Sequence, residues 1–178
     1  MDPIEMFERA ASRAAMLARS VDASQSSQAT PCSQWDVSAL LHHMAGGCDY
    51  LLAAVGGGPS PTKPWPDQEA VESCVAALRE PGALDRRCMS PAGFEWAVAE
   101  AAAGTAMDQL IHTWDLAVAI GQDRRMDPEL AEAIVEMFLP QMPEIGRQAG
   151  FVGPEVAVSA GAPAAHRLLA AMGRNPGT

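Results

Sequence analysis

The chain has 178 residues, a length typical of one domain that buries its own hydrophobic core. Its 12 basic and 22 acidic residues give a formal charge of −10, which argues against binding to nucleic-acid phosphates or to an anionic membrane. Hydrophobic residues make up 48% of the chain and aromatic residues only 5%, a balance that favours closely packed helices over sheets. We therefore expect a single helical domain over residues 1–178.

The N-terminus and the cysteines predict a cytoplasmic protein. The first residues, MDPIEMFERA, carry acids where a secretory signal has basic residues, and no stretch approaches the roughly 18 apolar residues of a membrane span. The four cysteines form neither a CxxC pair nor a dense disulfide framework. We expect reduced thiols, a small-molecule substrate, and neither a nucleic-acid nor a membrane partner; monomer and homodimer both stay open.

Three helices are predicted in the first half of the chain. The first starts near Asp2 and ends at the polar linker DASQSSQATP. The second follows the N-cap Asp36 and runs through VSALLHHMAGGCDYLLAAV, and the third fits PDQEAVESCVAALRE. Between them, the Pro-rich residues 59–66 are typical of a turn-rich loop, either an ordinary connector or a cover over a site.

The longest predicted helix lies in the middle of the chain. After the segment RRCMSPAGF, which we expect to be irregular, no proline occurs from Glu95 to Ile120, and the composition favours a helix. Gly121 would end this helix, and Gly104 is a possible weak spot within it.

The last third of the chain predicts shorter elements. A fifth helix starts at Asp127, and Pro140 and Pro143 should kink or interrupt it. Beyond it, FVGPEVAVSAGAP indicates extended chain and AAHRLLAAMG one short closing helix.

One face of the long helix carries groups that could bind a metal ion. At about 100° per residue, positions four and seven apart share a helix face, which brings Asp108, His112 and Asp115 together. A carboxylate and an imidazole one turn apart supply two ligands, and helix bundles complete such sites from a facing helix. The site therefore needs a third ligand from elsewhere.

The histidine pair of the second helix can supply that ligand. Helical geometry places His42 and His43 at similar distances from the apolar stripe, on opposite sides, and leaves both open as donors. Gly46 and Gly47 lie on the flank of His43 and would let another helix or a ligand come close, which favours His43.

Two imidazoles and one carboxylate match the ligands of catalytic zinc sites, which keep a fourth position open. Nickel, iron and manganese suit the same ligands. Asp115 is interpreted as the group of the catalytic site that orients a metal-bound histidine. The alternatives are an ion pair between Asp108 and His112 on the helix surface, histidines at the edge of the core, and an exposed helix charge at Asp115.

Four other residues receive structural interpretations. Cys32 and Cys48 are expected to be small buried hydrophobes rather than reactive thiols. Trp35 and Trp114 are expected to be core or pocket-wall aromatics.

Three segments resemble a known family. TPCSQWDVSALLHHMAGG resembles the signature T-P-C-x-x-W-x-V-x-x-L-x-x-H of the mycothiol-dependent maleylpyruvate isomerase N-terminal type, within the DinB/YfiT-like superfamily. MDQLIHTWDLAVAIGQ resembles that group's H-x-W-D-L-A-x-A-x-G segment, and HRLLAAMGRNP its usual ending. The resemblance covers nearly the whole chain in the right order.

The resemblance implies a fold and a ligand set. The fold is a four-helix bundle of DinB/YfiT type with additional C-terminal helices. The implied metal ligands are His43, Asp108 and His112, with zinc as the first expectation for the ion. Better-known members have a glutamate where this chain has Asp108, and the shorter side chain would weaken or tilt the site.

The function implied by the resemblance is a metal-dependent S-transferase that joins mycothiol, or another low-molecular-weight thiol, to a small electrophile. The cation would favour the thiolate, which is the nucleophilic form of the thiol. An isomerase is less favoured because the chain lacks the separate C-terminal domain of that enzyme. The alternatives are a metal hydrolase, a non-catalytic metal or small-ligand binding module, and a purely structural helical protein.

Overall fold

The computed structural model of the protein describes residues 1–33, 35–57 and 65–177. In those ranges the protein is all-α apart from one short hairpin, which confirms the predicted class. The elements are α1 Pro3–Ala18, α2 Val37–Ala54, α3 Gln68–Leu78, β1 Arg87–Met89, β2 Glu95–Ala97, α4 Val98–Ile120, α5 Pro128–Phe138, α6 Met142–Gln148 and α7 Ala164–Ala171, with one 3-10 turn, Ala23–Gln25, before α2. Most of the predicted loop over residues 59–66 lies outside the described residues. Among the described helices, none is both long enough and apolar enough to cross a bilayer.

Aspartate residues cap the N-termini of four helices. In each case a carboxylate oxygen accepts a hydrogen bond from a backbone N–H of the first turn, which an apolar residue could not do. Such a cap contributes about 1 kcal/mol to the stability of a helix. The capping residues are Asp2, Asp36, Asp67 and Asp127. All four helix starts predicted from these residues are confirmed.

The segment RRCMSPAGF before α4 was predicted to be irregular, which is wrong for Arg87–Met89, because these residues form a strand. β1 and β2 pair as an antiparallel hairpin with Cys88 opposite Trp96. The predicted helix from Glu95 was also wrong in its first three residues, because α4 begins only at Val98. The indole N–H of Trp96 donates to the hydroxyl of Tyr50 at 2.7 Å, so a tertiary contact outweighs the local helical preference of these residues.

The helices form two compact units. The first contains Met1–Ser90 and Phe94–Arg125, and the second contains Pro91–Gly93 and Met126–Thr178. In the first unit, α4 packs against α1 and α2, and α3 packs against the same two helices. The hairpin packs against α4.

In the second unit, α5 packs against α7. The predicted interruption of the fifth helix is confirmed, since α5 ends before Pro140 and α6 carries Pro143 in its first turn, where no backbone N–H is needed. The guanidinium of Arg147 in α6 donates to the carbonyl of Ala171 at the end of α7. The predicted closing helix is confirmed as α7.

Candidate metal centre

A buried cluster fixes how α2 and α4 are rotated about their axes. Met44 of α2 and Leu116 of α4 are both almost fully buried in it, together with apolar residues of α1. Met44 follows His43 directly, and Leu116 comes one turn after His112. Burial of the apolar stripes therefore places both histidines beside the contact between the two helices.

Three potential ligands converge at this contact. The Nε2 atom of His43 lies 3.0 Å and 3.2 Å from the two carboxylate oxygens of Asp108. The Nε2 atom of His112 lies 3.3 Å from Asp108 Oδ1, and one ligand atom from each residue falls within 4.8 Å of the others. Metal–ligand bonds of about 2.0–2.1 Å in a tetrahedral site place the ligand atoms about 3.3 Å apart. The donor types and the short distances of both imidazoles to Asp108 are therefore compatible with one divalent ion.

The structure brings His43, and not His42, to this cluster. The ring of His42 is exposed, and its Nδ1–H donates to the carbonyl of Ser38 in its own helix at 2.8 Å. Helical periodicity left the two histidines open because it does not show on which side of α2 the partner helix packs.

Asp115 lies behind His112. One carboxylate oxygen of Asp115 is 2.9 Å from Nδ1 of His112, and the side chain of Asp115 is fully buried. A hydrogen bond from Nδ1–H to this carboxylate leaves Nε2 free to bind a metal ion. Asp115 therefore sits where a group that orients a ligand is needed, and not at the position of a fourth ligand.

The charges of the cluster shift the pKa values of its members. Burial opposes ionisation of Asp108, but the neighbouring His112 and His43 outweigh it and hold the pKa of this carboxyl well below its usual range. Burial lowers the pKa of His112, whereas Asp108 and Asp115 raise it more strongly, to about 9. At neutral pH the cluster without a metal therefore holds a proton close to where a cation would bind.

Within the described part of the chain, one side of the cluster is exposed. The side chain of His112 is 9% exposed, whereas those of Asp108 and His43 are 36% and 37% exposed. Among the described residues, a Cβ atom at Gly46, one turn after His43, would meet no atom within 4 Å. A ligand can therefore approach the cluster along the flank of α2.

Gly47 shows the opposite situation and bears out the predicted close approach of another helix. A Cβ atom at Gly47 would lie 2.9 Å from the carboxamide nitrogen of Gln109 and 3.0 Å from Cγ2 of Thr105, both on α4. That carboxamide nitrogen donates to the carbonyl of Met44 at 2.7 Å and ties α4 to α2. The carboxamide oxygen of Gln109 is buried and has no hydrogen-bond partner among the described residues, which makes it a candidate acceptor for a water or a ligand.

Trp35 lies against both histidines. Its ring centre is 4.4 Å from that of His43 and 5.4 Å from that of His112. The two imidazoles meet nearly edge to face, with ring centres 4.8 Å apart. The sequence indicated only a core or pocket-wall role for Trp35, because no pattern in the linker shows which rings it contacts.

The remaining candidates take structural positions. Trp114 and Cys48 are buried, Cys32 is half-buried, and all four cysteines are free thiols. Cys74, close to Cys48, has its pKa raised by their hydrogen bond and by burial, so its thiol stays protonated.

Two proteins of Mycobacterium tuberculosis are similar to this chain. Uncharacterized protein MT0763 of strain CDC 1551 / Oshkosh is 33% identical over 159 residues, which span 86% of this chain and 84% of the relative. Uncharacterized protein Rv0738 of strain ATCC 25618 / H37Rv matches to the same extent. The chain belongs to their family. No model of a known protein family and no solved structure matches it.

Proposed function

We propose that this protein binds a divalent metal ion and uses it as a thiol-dependent S-transferase of the DinB/YfiT-like superfamily. The observation that carries the proposal is the convergence of His43, Asp108 and His112 from two helices, with one side of the cluster open. Zinc is the first expectation for the ion, and nickel, iron or manganese suit the same ligands.

The packing of the helices supports the superfamily. Both α1 and α2 contact both α3 and α4, as expected when four helices surround one core. We propose that these helices are the four-helix bundle of DinB/YfiT type and that α5, α6 and α7 are the additional C-terminal helices. Ligands on α2 and α4 agree with metal binding between facing helices of a bundle.

Each residue of the site has a role in the proposed reaction. A bound divalent cation supplies positive charge that favours the thiolate form of a thiol at neutral pH. His43 and His112 offer Nε2 atoms and Asp108 offers a carboxylate, while Asp115 keeps the ring of His112 in the required tautomer.

The open side admits the two substrates. The half-exposed edges of His43 and Asp108 and the empty space over Gly46 let a thiol and an electrophile meet beside the ligands. The thiolate sulfur then bonds to the electrophilic carbon, and the leaving group departs with its bonding electron pair. We propose mycothiol or another low-molecular-weight thiol as the sulfur donor.

The test combines metal analysis with turnover. Purified protein, freed of metal and then reloaded, should bind one divalent ion and consume mycothiol with an electrophile such as a chlorinated dinitrobenzene. His112→Ala should abolish both metal binding and turnover. His42→Ala, which removes the neighbouring histidine outside the cluster, should change neither.

Three outcomes would contradict parts of the proposal. Absence of stoichiometric metal after reloading would refute the metal centre itself. Metal binding without thiol loss across a broad panel of electrophiles would refute the transferase and favour a binding module. Metal-dependent cleavage of ester or amide substrates without any thiol would indicate a hydrolase.

A further inference from the structure

The linker before α2 holds Trp35 in place through its backbone. The N–H of Trp35 donates to the carbonyl of Cys32 at 2.9 Å, and the hydroxyl of Thr30 lies 2.8 Å from the carbonyl of Trp35. The N–H of Cys32 donates in turn to that hydroxyl at 3.1 Å, and Ala29 forms a bridge with Asp36. These bonds form a turn that ends where α2 begins, so the position of the indole does not depend on its own contacts alone.

The indole of Trp35 contacts both imidazoles of the cluster. His43 stands on the flank of α2 with 37% of its side chain exposed, and an imidazole in that setting has several staggered rotamers available. The ring of Trp35 lies against this imidazole, with the ring centres 4.4 Å apart and the planes tilted by 36°. His112 is held by Asp115 at its Nδ1 atom and by Trp35 at its ring.

We infer that Trp35 is a positioning residue of the metal centre. Its indole fixes the ring planes of both imidazole ligands and shields one side of them from water. The inference rests on the proposed metal centre, and it explains the spacing between Thr30, Cys32 and Trp35 as the turn that delivers this ring. Because an apolar shell around a metal site controls water access and the local dielectric, the role concerns metal binding itself, before any substrate arrives.

The test measures cobalt binding in matched tryptophan variants. Metal-free wild type, Trp35→Leu, Trp35→Phe and Trp96→Phe are titrated with Co²⁺ against a chromophoric chelator, and the visible absorption of the bound ion is recorded. Trp35→Leu should bind Co²⁺ about tenfold more weakly and change the absorption bands, since partners outside the ligand shell are worth about 10–100-fold. Trp35→Phe should restore both. Trp96→Phe should leave both unchanged, because the known contacts of Trp96 are with Tyr50, Phe94 and Gly104.

Tryptophan fluorescence gives an independent readout. Addition of Co²⁺ should quench the emission of wild type, and most of that quenching should disappear in Trp35→Phe while Trp96→Phe keeps it. This comparison tests whether the ion lies beside Trp35 even if Trp35→Leu does not fold, because Trp35→Phe conserves an aromatic ring.

The outcomes separate this inference from the proposed function. Wild-type affinity and absorption in Trp35→Leu, or quenching that persists in full in Trp35→Phe, would overturn the role of Trp35 and leave the metal centre standing. An equal loss of affinity in Trp96→Phe would also overturn it, as a general effect on the fold. If wild type binds no Co²⁺, both proposals fail together.

Discussion

Two polar clusters lie beside α2, one containing Trp96 and the other in contact with Trp35, and they differ in their exposure to solvent. In the Trp96 cluster, formed by Tyr50, Met89 and Trp96, the indole donates to the phenol, and the phenol donates to the carbonyl of Met89 at 3.0 Å. Burial is the main cause of the raised pKa of Tyr50, so the phenol keeps its proton and remains a donor. Donors and acceptors are matched within the protein.

The metal cluster, formed by His43, Asp108 and His112, is also hydrogen-bonded but is partly exposed to solvent. Two imidazole nitrogens face one carboxylate that is 36% exposed, and the bond that fixes the deeper imidazole comes from Asp115. A network that serves only the fold gains most when it is buried and complete. The comparison separates a network around the buried Trp96, which stabilises the hairpin, from a partly exposed cluster whose residues could hold a metal ion.

The largest expected effect is the pH dependence of metal affinity, which should depend on the metal cluster and not on the Trp96 cluster. The pKa of His112 is raised to about 9, so below that pH a metal ion must displace its proton. The affinity should therefore rise about tenfold per pH unit, or about 100-fold between pH 6 and pH 8. Competition titrations at fixed ionic strength measure this slope, and Trp96→Phe should keep it. A flat profile would contradict the predicted protonation of His112.

The free energy of unfolding of the metal-free protein should fall as the pH rises, whereas metal affinity increases. Because the folded pKa of His112 lies above its ordinary value of 6.5, its contribution is complete below about pH 6.5 and is lost as the pH rises toward 9. Urea unfolding of metal-free protein across this range should show the decline, and His112→Ala should lack it.

Asp115→Asn tests the group behind the deeper imidazole. The amide is nearly the same size, but its nitrogen presents hydrogen atoms to Nδ1 of His112 and favours the wrong tautomer. Metal affinity should fall about 10–100-fold with little change in the helix content measured by circular dichroism. An unchanged affinity would place Asp115 outside the site.

Gly104→Ala acts on the Trp96 cluster instead. A Cβ atom at Gly104 would lie 2.7 Å from the indole of Trp96 and force it away from Tyr50. We expect a loss of about 1–3 kcal/mol in the free energy of unfolding, reduced by the better helix propensity of alanine, and a metal affinity close to that of wild type. Denaturant unfolding and a metal titration on the same sample check both parts. A loss of metal binding without a loss of stability would show that the clusters are not separable.

Gly46→Ala should give the smallest effect, and in the stabilising direction. The added methyl group meets no atom of the described residues, and alanine is up to about 1 kcal/mol better than glycine within a helix. Gly47→Ala is the matched control and should destabilise, since its methyl group would meet Gln109 and Thr105. Thermal unfolding of the two variants measures the difference, and equal shifts would contradict the two different environments.

The parts of this protein that follow from local chemistry could be predicted from the sequence. A carboxylate such as that of Asp36 bonds to N–H groups within its own turn, so the start of α2 needs no distant partner. Asp108 and His112 likewise share a face because the helix itself puts them there.

The parts that depend on distant residues could not be predicted in the same way. The strand Glu95–Ala97 is three residues long, and its pairing with Arg87–Met89 depends on Trp96 reaching Tyr50, which lies 46 positions away. His43 and His42 differ only in which side of α2 receives α4, so helical periodicity alone left both open. The resemblance named His43 from a motif, and the geometry supplies the reason for that preference.

The position of Asp108 opposite His43 has one more consequence, for the lifetime of the protein. These residues are 65 positions apart in the chain, so an ion held by both would act as a reversible cross-link between two helices. A ligand that binds only the folded state, present at 1,000 times its dissociation constant, stabilises that state by about 4 kcal/mol. If the proposed ion is bound, metal starvation would shorten the survival of the polypeptide, and its abundance would depend on metal supply.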